Sequence, residues 1–336
     1  MKKLPSLLVL GLLLLSCACS RSGYRIVGDI FDLDETDINL LDVYGHTIGT
    51  APVKDGKFVL EGSVDVPCLA YLNNGLGVNY PIDIPVLLEN AKIRVKGDAT
   101  RAHVDITGTK ANENMVRYRE KRDHIAPDDV NSYVLLLRET YEENIDNVLG
   151  SLMIHNMYGL VTDAELVEYC DRLPEPFRSE PTVTHYRDIC AARLGTAVGH
   201  PYVDFSVPGT DGTVHRLSDA VAANSATVLV FWASWSRSAA SILPELAQRC
   251  KPYASRGLKM FTVSLDSNES AWQKSVADFG LFGDNFCPGP NEADQLLSLY
   301  GIDGMPRYLL LDGDGRILVR SDRPADIREP LEDLFN

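Results

Sequence analysis

Apolar and polar positions change their spacing twice along this chain, and the changes divide it into three regions. Between residues 24 and 106 the apolar positions recur in short runs, alternating in Tyr24-Arg25-Ile26-Val27 and partly over residues 38–43. A period of two predicts strands with one buried face. Further runs follow at 69–72, 84–88 and 92–95. Asp55-Gly56, between Ala51-Pro52-Val53 and Lys57-Phe58-Val59-Leu60, predicts a tight hairpin, because both residues tolerate positive φ. Strands this short and this frequent read as a β-sandwich or open barrel over residues 24–107.

Near Gly108 the period lengthens. Val134, Leu137 and Tyr141 fall on one helical face, as do Leu149, Met153 and Met157. Asp163 is expected to cap a further helix, and Pro174 and Pro176 break the run. Residues 108–195 thus read as a helical region. From 196 onward strands and helices alternate. Strands are expected at 227–232 and 258–265, helices at 236–254, 269–279, 291–300 and 325–335. A hairpin of 308–312 and 316–320 turns at Gly313-Asp314-Gly315. This order predicts an α/β domain over 196–336, a mixed sheet with helices on both faces.

Charge narrows the partners. The 336 residues carry 47 acidic and 32 basic side chains, a net charge of −15, with no basic patch to offset it. Such a chain repels phosphate backbones, so no nucleic-acid partner is expected. The N-terminus is more specific. Lys2 and Lys3 precede an apolar run at 7–15 interrupted by Gly11, too short to span a bilayer but of the length of a signal peptide. The run ends in Leu14-Leu15-Ser16-Cys17, which resembles a bacterial lipobox. That resemblance implies a signal peptide at 1–16, an acylated Cys17, a tether at 17–23 and a lipid bilayer as one partner. Cys19 is the rival, with Ser16 where the signal prefers Leu; a plain secretory signal is the other alternative. Cys17 is followed by Ala18-Cys19-Ser20-Arg21, without an acidic cluster, so the expected location is the cell envelope, facing the periplasm.

Residues 199–336 resemble a periplasmic thioredoxin of the TlpA/ResA type, within the AhpC/TSA grouping. Gly199-His-Pro-Tyr-Val-Asp-Phe205 is similar to its first strand, and Asp211-Gly212 with Leu217-Ser-Asp219 to its first hairpin. Val228-Leu-Val-Phe-Trp-Ala-Ser-Trp235 matches the strand leading into the active site. Pro244 sits where the family kinks a helix, and Gly304-Met305-Pro306 matches the cis-proline loop. The family continues with Cys-x-Pro-Cys; this chain continues with Ser236-Arg237-Ser238-Ala239. The resemblance implies that Pro306 is cis and that the residue before it offers backbone hydrogen bonds to an extended peptide. A groove near Trp232, Trp235, Ser236, Met305 and Pro306 would then bind peptide by strand addition. The N-terminal region, through Asp55-Gly-Lys-Phe58, Glu61-Gly62 and Pro67, is similar to a β domain of unknown function found ahead of thioredoxin-like domains in bacterial envelope lipoproteins.

Thiol–disulfide exchange needs a thiolate to attack sulfur and a second thiol to resolve the mixed disulfide. A helix N-terminus lowers the attacking thiol's pKa from ~8.5 toward ~7 or below. Serine has no such acidity and alanine has nothing to ionise, so the exchange cannot run through residues 236–239. Three readings follow. The first is a redox-inactive, membrane-anchored module that binds an unidentified protein or peptide of the envelope. The second is an oxidoreductase that uses Cys250 and Cys287 instead. The third is a structural subunit of an envelope complex. Cys68, Cys170 and Cys190 complete five cysteines beyond the N-terminus, with Cys170 and Cys190 the nearest candidates for a disulfide. A nucleophilic Ser236 paired with His200 or His215 lacks the Gly-x-Ser-x-Gly elbow. Asp312-Gly-Asp-Gly315 lacks the glutamate of a calcium loop, and Asp32, Asp34, Glu35 and Asp37 read as a solvated hairpin tip. No metal and no cofactor is expected.

Overall fold

The computed structural model describes residues 23–75, 79, 81–101 and 103–336. The expected signal peptide, Cys17 and Cys19 lie outside the described residues. Contacts divide the chain into two units, residues up to 126 with 147–149, and residues 127–146 with 150–336. The helical stretch read from the sequence as one region is therefore shared between them.

The first unit has eight strands: β1 (Tyr24–Phe31), β2 (Asp37–Leu41), β3 (Thr47–Pro52), β4 (Lys57–Gly62), β5 (Cys68–Asn73), β6 (Asp83–Leu88), β7 (Lys92–Asp98) and β8 (His103–Thr107). They form two four-stranded sheets, ordered β4-β1-β7-β8 and β3-β2-β5-β6. Alternation supplies the core. Tyr24, Ile26 and Ile30 of β1 are buried while Arg25, Asp29 and Phe31 are exposed, and the buried set joins Ile38, Leu40, Leu72 and Val86 of the other sheet. The Asp55-Gly56 turn forms as the sequence predicts, with both residues at positive φ and Lys54 and Lys57 exchanging backbone hydrogen bonds at 2.9 Å. The flanking strands then part. β3 pairs with β2 and β4 with β1, so the turn is a crossing between sheets and not the head of a hairpin.

Helix α1 (Lys110–Asp123) closes this unit. Its buried Asn112 donates its amide to the Leu87 carbonyl (2.8 Å) and accepts from the Leu87 N–H (3.0 Å). β6 is an edge strand, so a side chain replaces a missing ladder partner. Asn112→Leu leaves both Leu87 groups buried and unpaired, and should cost about 2 kcal/mol or more. Urea unfolding of the full chain checks this; a change below roughly 0.5 kcal/mol, within the range of ordinary surface substitutions, would overturn it.

The second unit begins with α2 (Val130–Glu143), α3 (Val148–Met157, its first turn counted with the first unit), α4 (Asp163–Arg172) and α5 (Pro181–Gly195). The cap of α4 is Thr162, not Asp163. Thr162 accepts from the Glu165 N–H, and the Glu165 carboxylate accepts from the Thr162 N–H, leaving Asp163 to make an ion pair. The order continues with β9 (Ser206–Pro208), β10 (Val214–Arg216), α6 (Leu217–Ala223), β11 (Ala226–Trp232), α7 (Arg237–Cys250), β12 (Leu258–Ser264) and α8 (Glu269–Asp278). It ends with β13 (Asp284–Phe286), α9 (Pro290–Leu299), β14 (Arg307–Asp312), β15 (Ile317–Ser321) and α10 (Arg328–Phe335).

The sheet order is β13-β12-β11-β14-β15, with β12 parallel and β14 antiparallel to β11. Every residue of β11 is buried. Val228, Val230 and Trp232 pack with Leu243, Trp272 and Phe335 on one face, and Leu229 and Phe231 with Leu217, Leu296 and Tyr300 on the other. Helices therefore cover both faces, as the alternating order predicts. Helix α7 stops at Cys250, four residues short of the expected end, because Pro252 starts a 3₁₀ turn over 251–256.

Candidate functional site

The site lies where β11 ends. Its register with β14 sets Phe231 opposite Arg307, which brings Met305 and Pro306 beside the loop from β11 to α7. The Met305–Pro306 peptide is cis, as the resemblance implied. Ser236 caps α7. Its Oγ accepts from the Ala239 N–H and donates to the Met305 carbonyl, both at 3.4 Å. These are long contacts, weak by ordinary hydrogen-bond geometry. The Met305 N–H has no partner among the described residues.

The five residues expected to line a groove divide by exposure. Trp235 is 66% exposed, and Ser236 and Met305 are half-buried. Pro306 is buried. Trp232 is fully buried, edge-on to Phe279 at 5.7 Å, so it belongs to the core and cannot line an open surface. Within the degenerate motif, Arg237 and Ser238 are exposed and Ala239 is buried.

The sequence reading missed the group that holds this loop. Asp266, just past β12 and 2% exposed, accepts from the Ser234 N–H (2.9 Å), the Ser234 hydroxyl (2.6 Å) and the Ser264 hydroxyl. A buried carboxylate is tolerated only when its lone pairs are satisfied, and here the loop's own donors do so. The available signal was an acidic residue directly after an apolar strand.

The rival chemistries do not assemble here. Cys250 ends the 14-residue α7, about 20 Å from Ser236 at ~1.5 Å per residue. Cys287 follows β13 and stands beside the C-terminal end of β12, its thiol 3.0 Å from the Asp266 carbonyl, whereas Cys250 lies at the far end of α7. His215 bonds Thr213, whereas Ser236 turns to Met305. The Asp312 carboxylate accepts from the N–H groups of Asp314 and Arg316 and so shapes a turn. Among the described residues no cluster of three or more His, Cys, Asp or Glu is placed to hold a metal ion.

Cys68, Cys170, Cys190, Cys250 and Cys287 are all free thiols, the nearest candidates Cys170 and Cys190 included. Burial raises the Cys250 thiol to about 12, and it likewise raises Cys170 and Cys190 to about 12. Native protein spanning residues 20–336 should therefore react slowly with an aromatic disulfide reagent at pH 8, Cys68 and Cys287 first. All five thiols should appear on unfolding without reductant; three would establish a disulfide.

Two family models match parts of this chain. The model of the AhpC/TSA family matches residues 198–317, and that of a domain of unknown function, DUF4369, matches residues 24–115. Thiol-disulfide oxidoreductase ResA of Geobacillus thermodenitrificans is 25% identical over 154 residues, 45% of this chain and 86% of that relative. ResA of Bacillus thuringiensis is 21% identical over 138 residues, 41% of this chain and 76% of the relative. Among solved structures, the thioredoxin domain of a thiol-disulfide oxidoreductase from Bacteroides vulgatus has a TM-score of 0.38 at 21% identity, covering 42% of this chain and 99% of its own. A thiol-disulfide oxidoreductase from Bacteroides fragilis has a TM-score of 0.37 at 27% identity, covering 40% and 98%. Residues 198–317, with their buried central strand, two-sided helix cover and cis-proline loop, form a thioredoxin-like domain of the AhpC/TSA family, behind an N-terminal DUF4369 domain.

Proposed function

We propose that this chain is a lipid-anchored envelope protein whose thioredoxin-like domain binds a protein or peptide segment and does not exchange its disulfides. One observation carries the reading: Ser236 and Ala239 occupy the positions where the resembling family carries cysteine, while the cis Met305–Pro306 loop stands beside them. Exchange needs an attacking thiolate and a resolving thiol. Ser236 supplies neither, and serves instead as a helix cap, a role serine fills well. The Met305 N–H and its weakly engaged carbonyl supply the donor and acceptor that an extended segment pairs with in strand addition. Exposed Trp235 offers apolar area beside them. Anchoring through Cys17 would keep the protein at a membrane, facing the periplasm.

Insulin reduction by dithiothreitol tests the first half, using residues 20–336 beside a Ser236→Cys/Ala239→Cys variant. The native chain should not exceed the dithiothreitol background, and the variant should. Turnover by the native chain that disappears on substituting Cys250 and Cys287 would establish the oxidoreductase reading instead. Cell fractionation of the full chain tests the second half. Wild-type protein should sediment with membranes and Cys17→Ser should not. Release only by Cys19→Ser would move the anchor to the rival residue.

A further inference from the structure

The loop that carries Met305 is held from behind by the helices that precede the thioredoxin-like domain. Arg193 of α5 is the centre of the contact, its side chain 21% exposed. Its Nε donates to the Gly301 carbonyl at 2.9 Å, Nη1 reaches Asp163 at 3.2 Å, and Nη2 reaches Asp303 at 2.7 Å. The Tyr158 hydroxyl accepts from Nη2 and donates to Asp303, and the guanidinium lies 5.4 Å from the centre of the Tyr158 ring. One planar cation thus ties α4 and the end of α3 to two residues of the loop. The fork geometry of arginine permits this; a lysine's point charge does not.

The backbone adds a second constraint. A Cβ on Gly301 would lie 2.4 Å from the Ile189 carbonyl and 2.7 Å from the Arg193 N–H, and Gly301 has φ +58°. The loop therefore rests directly on α5, at a distance and in a conformation that only glycine meets without displacement. Arg320 of β15 joins the same contact, donating to the Tyr300 carbonyl (2.6 Å), the Gly301 carbonyl (3.2 Å) and Thr196 Oγ1 (3.0 Å). Burial alone would raise the Asp303 carboxyl, but the Tyr158 hydroxyl and the Arg193 charge hold it below the usual range, so it is ionised at neutral pH.

We propose that Arg193 is a positioning residue for the Gly304-Met305-Pro306 loop, which makes helices α3–α5 a working part of the peptide-binding site and not a spacer. This rests on the peptide-binding reading of the loop. Hydrogen exchange on residues 20–336, comparing native protein with Arg193→Lys and Tyr158→Phe, reads the loop without any ligand. The amides of Gly301 and Ile302, bonded to the Ser298 and Leu297 carbonyls, should exchange roughly ten-fold faster in Arg193→Lys, a local opening, while those of α4 and α5 stay protected. Tyr158→Phe removes only a hydroxyl and should show a smaller change in the same direction.

The second readout places Arg193→Lys in the Ser236→Cys/Ala239→Cys background and compares reduction of insulin with that of a small aromatic disulfide. The insulin rate should fall several-fold and the small disulfide should not respond. Unchanged loop exchange in both variants would overturn the proposal. So would faster loop exchange with insulin and the small disulfide affected alike, which would make the contact purely architectural. If the double-cysteine protein reduces the small disulfide but not insulin with Arg193 intact, the peptide-binding reading fails, and with it the positioning role.

Discussion

The pairing of β11 on both edges is the constraint from which the rest of the thioredoxin-like domain follows. All seven residues are buried, with Trp232 opposite Ser264 on one side and Phe231 opposite Arg307 on the other. A register slip of one residue would exchange the faces of the strand, turning Val228, Val230 and Trp232 away from α7 and α8. Because one face packs under those helices and the other under α6 and α9, the register is set by burial on both sides. The chemistry-bearing loops inherit their places from it. Ser236, Asp266 and Pro306 come from three segments far apart in sequence, yet each follows or precedes a strand bonded into this ladder.

Asp266 shows how the fold keeps its active-site shape without active-site sulfur. The Ser234 N–H and the hydroxyls of Ser234 and Ser264 all point to its carboxylate, so the loop leading to α7 is held by a charge-assisted network that never involved the motif residues. Ser236 then caps the helix start through its long contact with the Ala239 N–H. The scaffold around residues 236–239 is therefore held by groups outside that motif. The contrast with Cys250 is instructive. That thiol is fully enclosed by apolar side chains, where burial favours the protonated form and no attack on a disulfide is open to it.

The helices ahead of the domain acquire a purpose through charge. Arg193 and Arg320 both donate to the Gly301 carbonyl, and Arg320 also to the Tyr300 carbonyl, so the turning segment has its backbone acceptors engaged by side chains. A contact of this kind costs side-chain entropy and partial desolvation. Part of that cost is offset because each nitrogen of the Arg193 cation is engaged, by two carboxylates, a hydroxyl and a carbonyl. Residues 127–146 and 150–195 accordingly belong to the same unit as the thioredoxin-like fold.

By itself the sequence determined the local events. Period-two alternation located the strands, Asp55-Gly56 located a turn, the apolar run at 227–232 located a strand, and Ser236 and Ala239 marked the positions where the resembling family carries cysteine. Each is decided within a few residues, by a side chain's solubility, its tolerance of positive φ or its ability to ionise. The tertiary structure decided the partners. It sent β3 and β4 to different sheets from one turn, buried Trp232 while exposing Trp235 three residues on, and set Cys250 at the far end of α7 and Cys287 beside the C-terminal end of β12. It also joined Arg193 to a loop more than a hundred residues away. Such choices depend on which surfaces remain uncovered once every element has packed, a property of the whole unit that no window of residues contains.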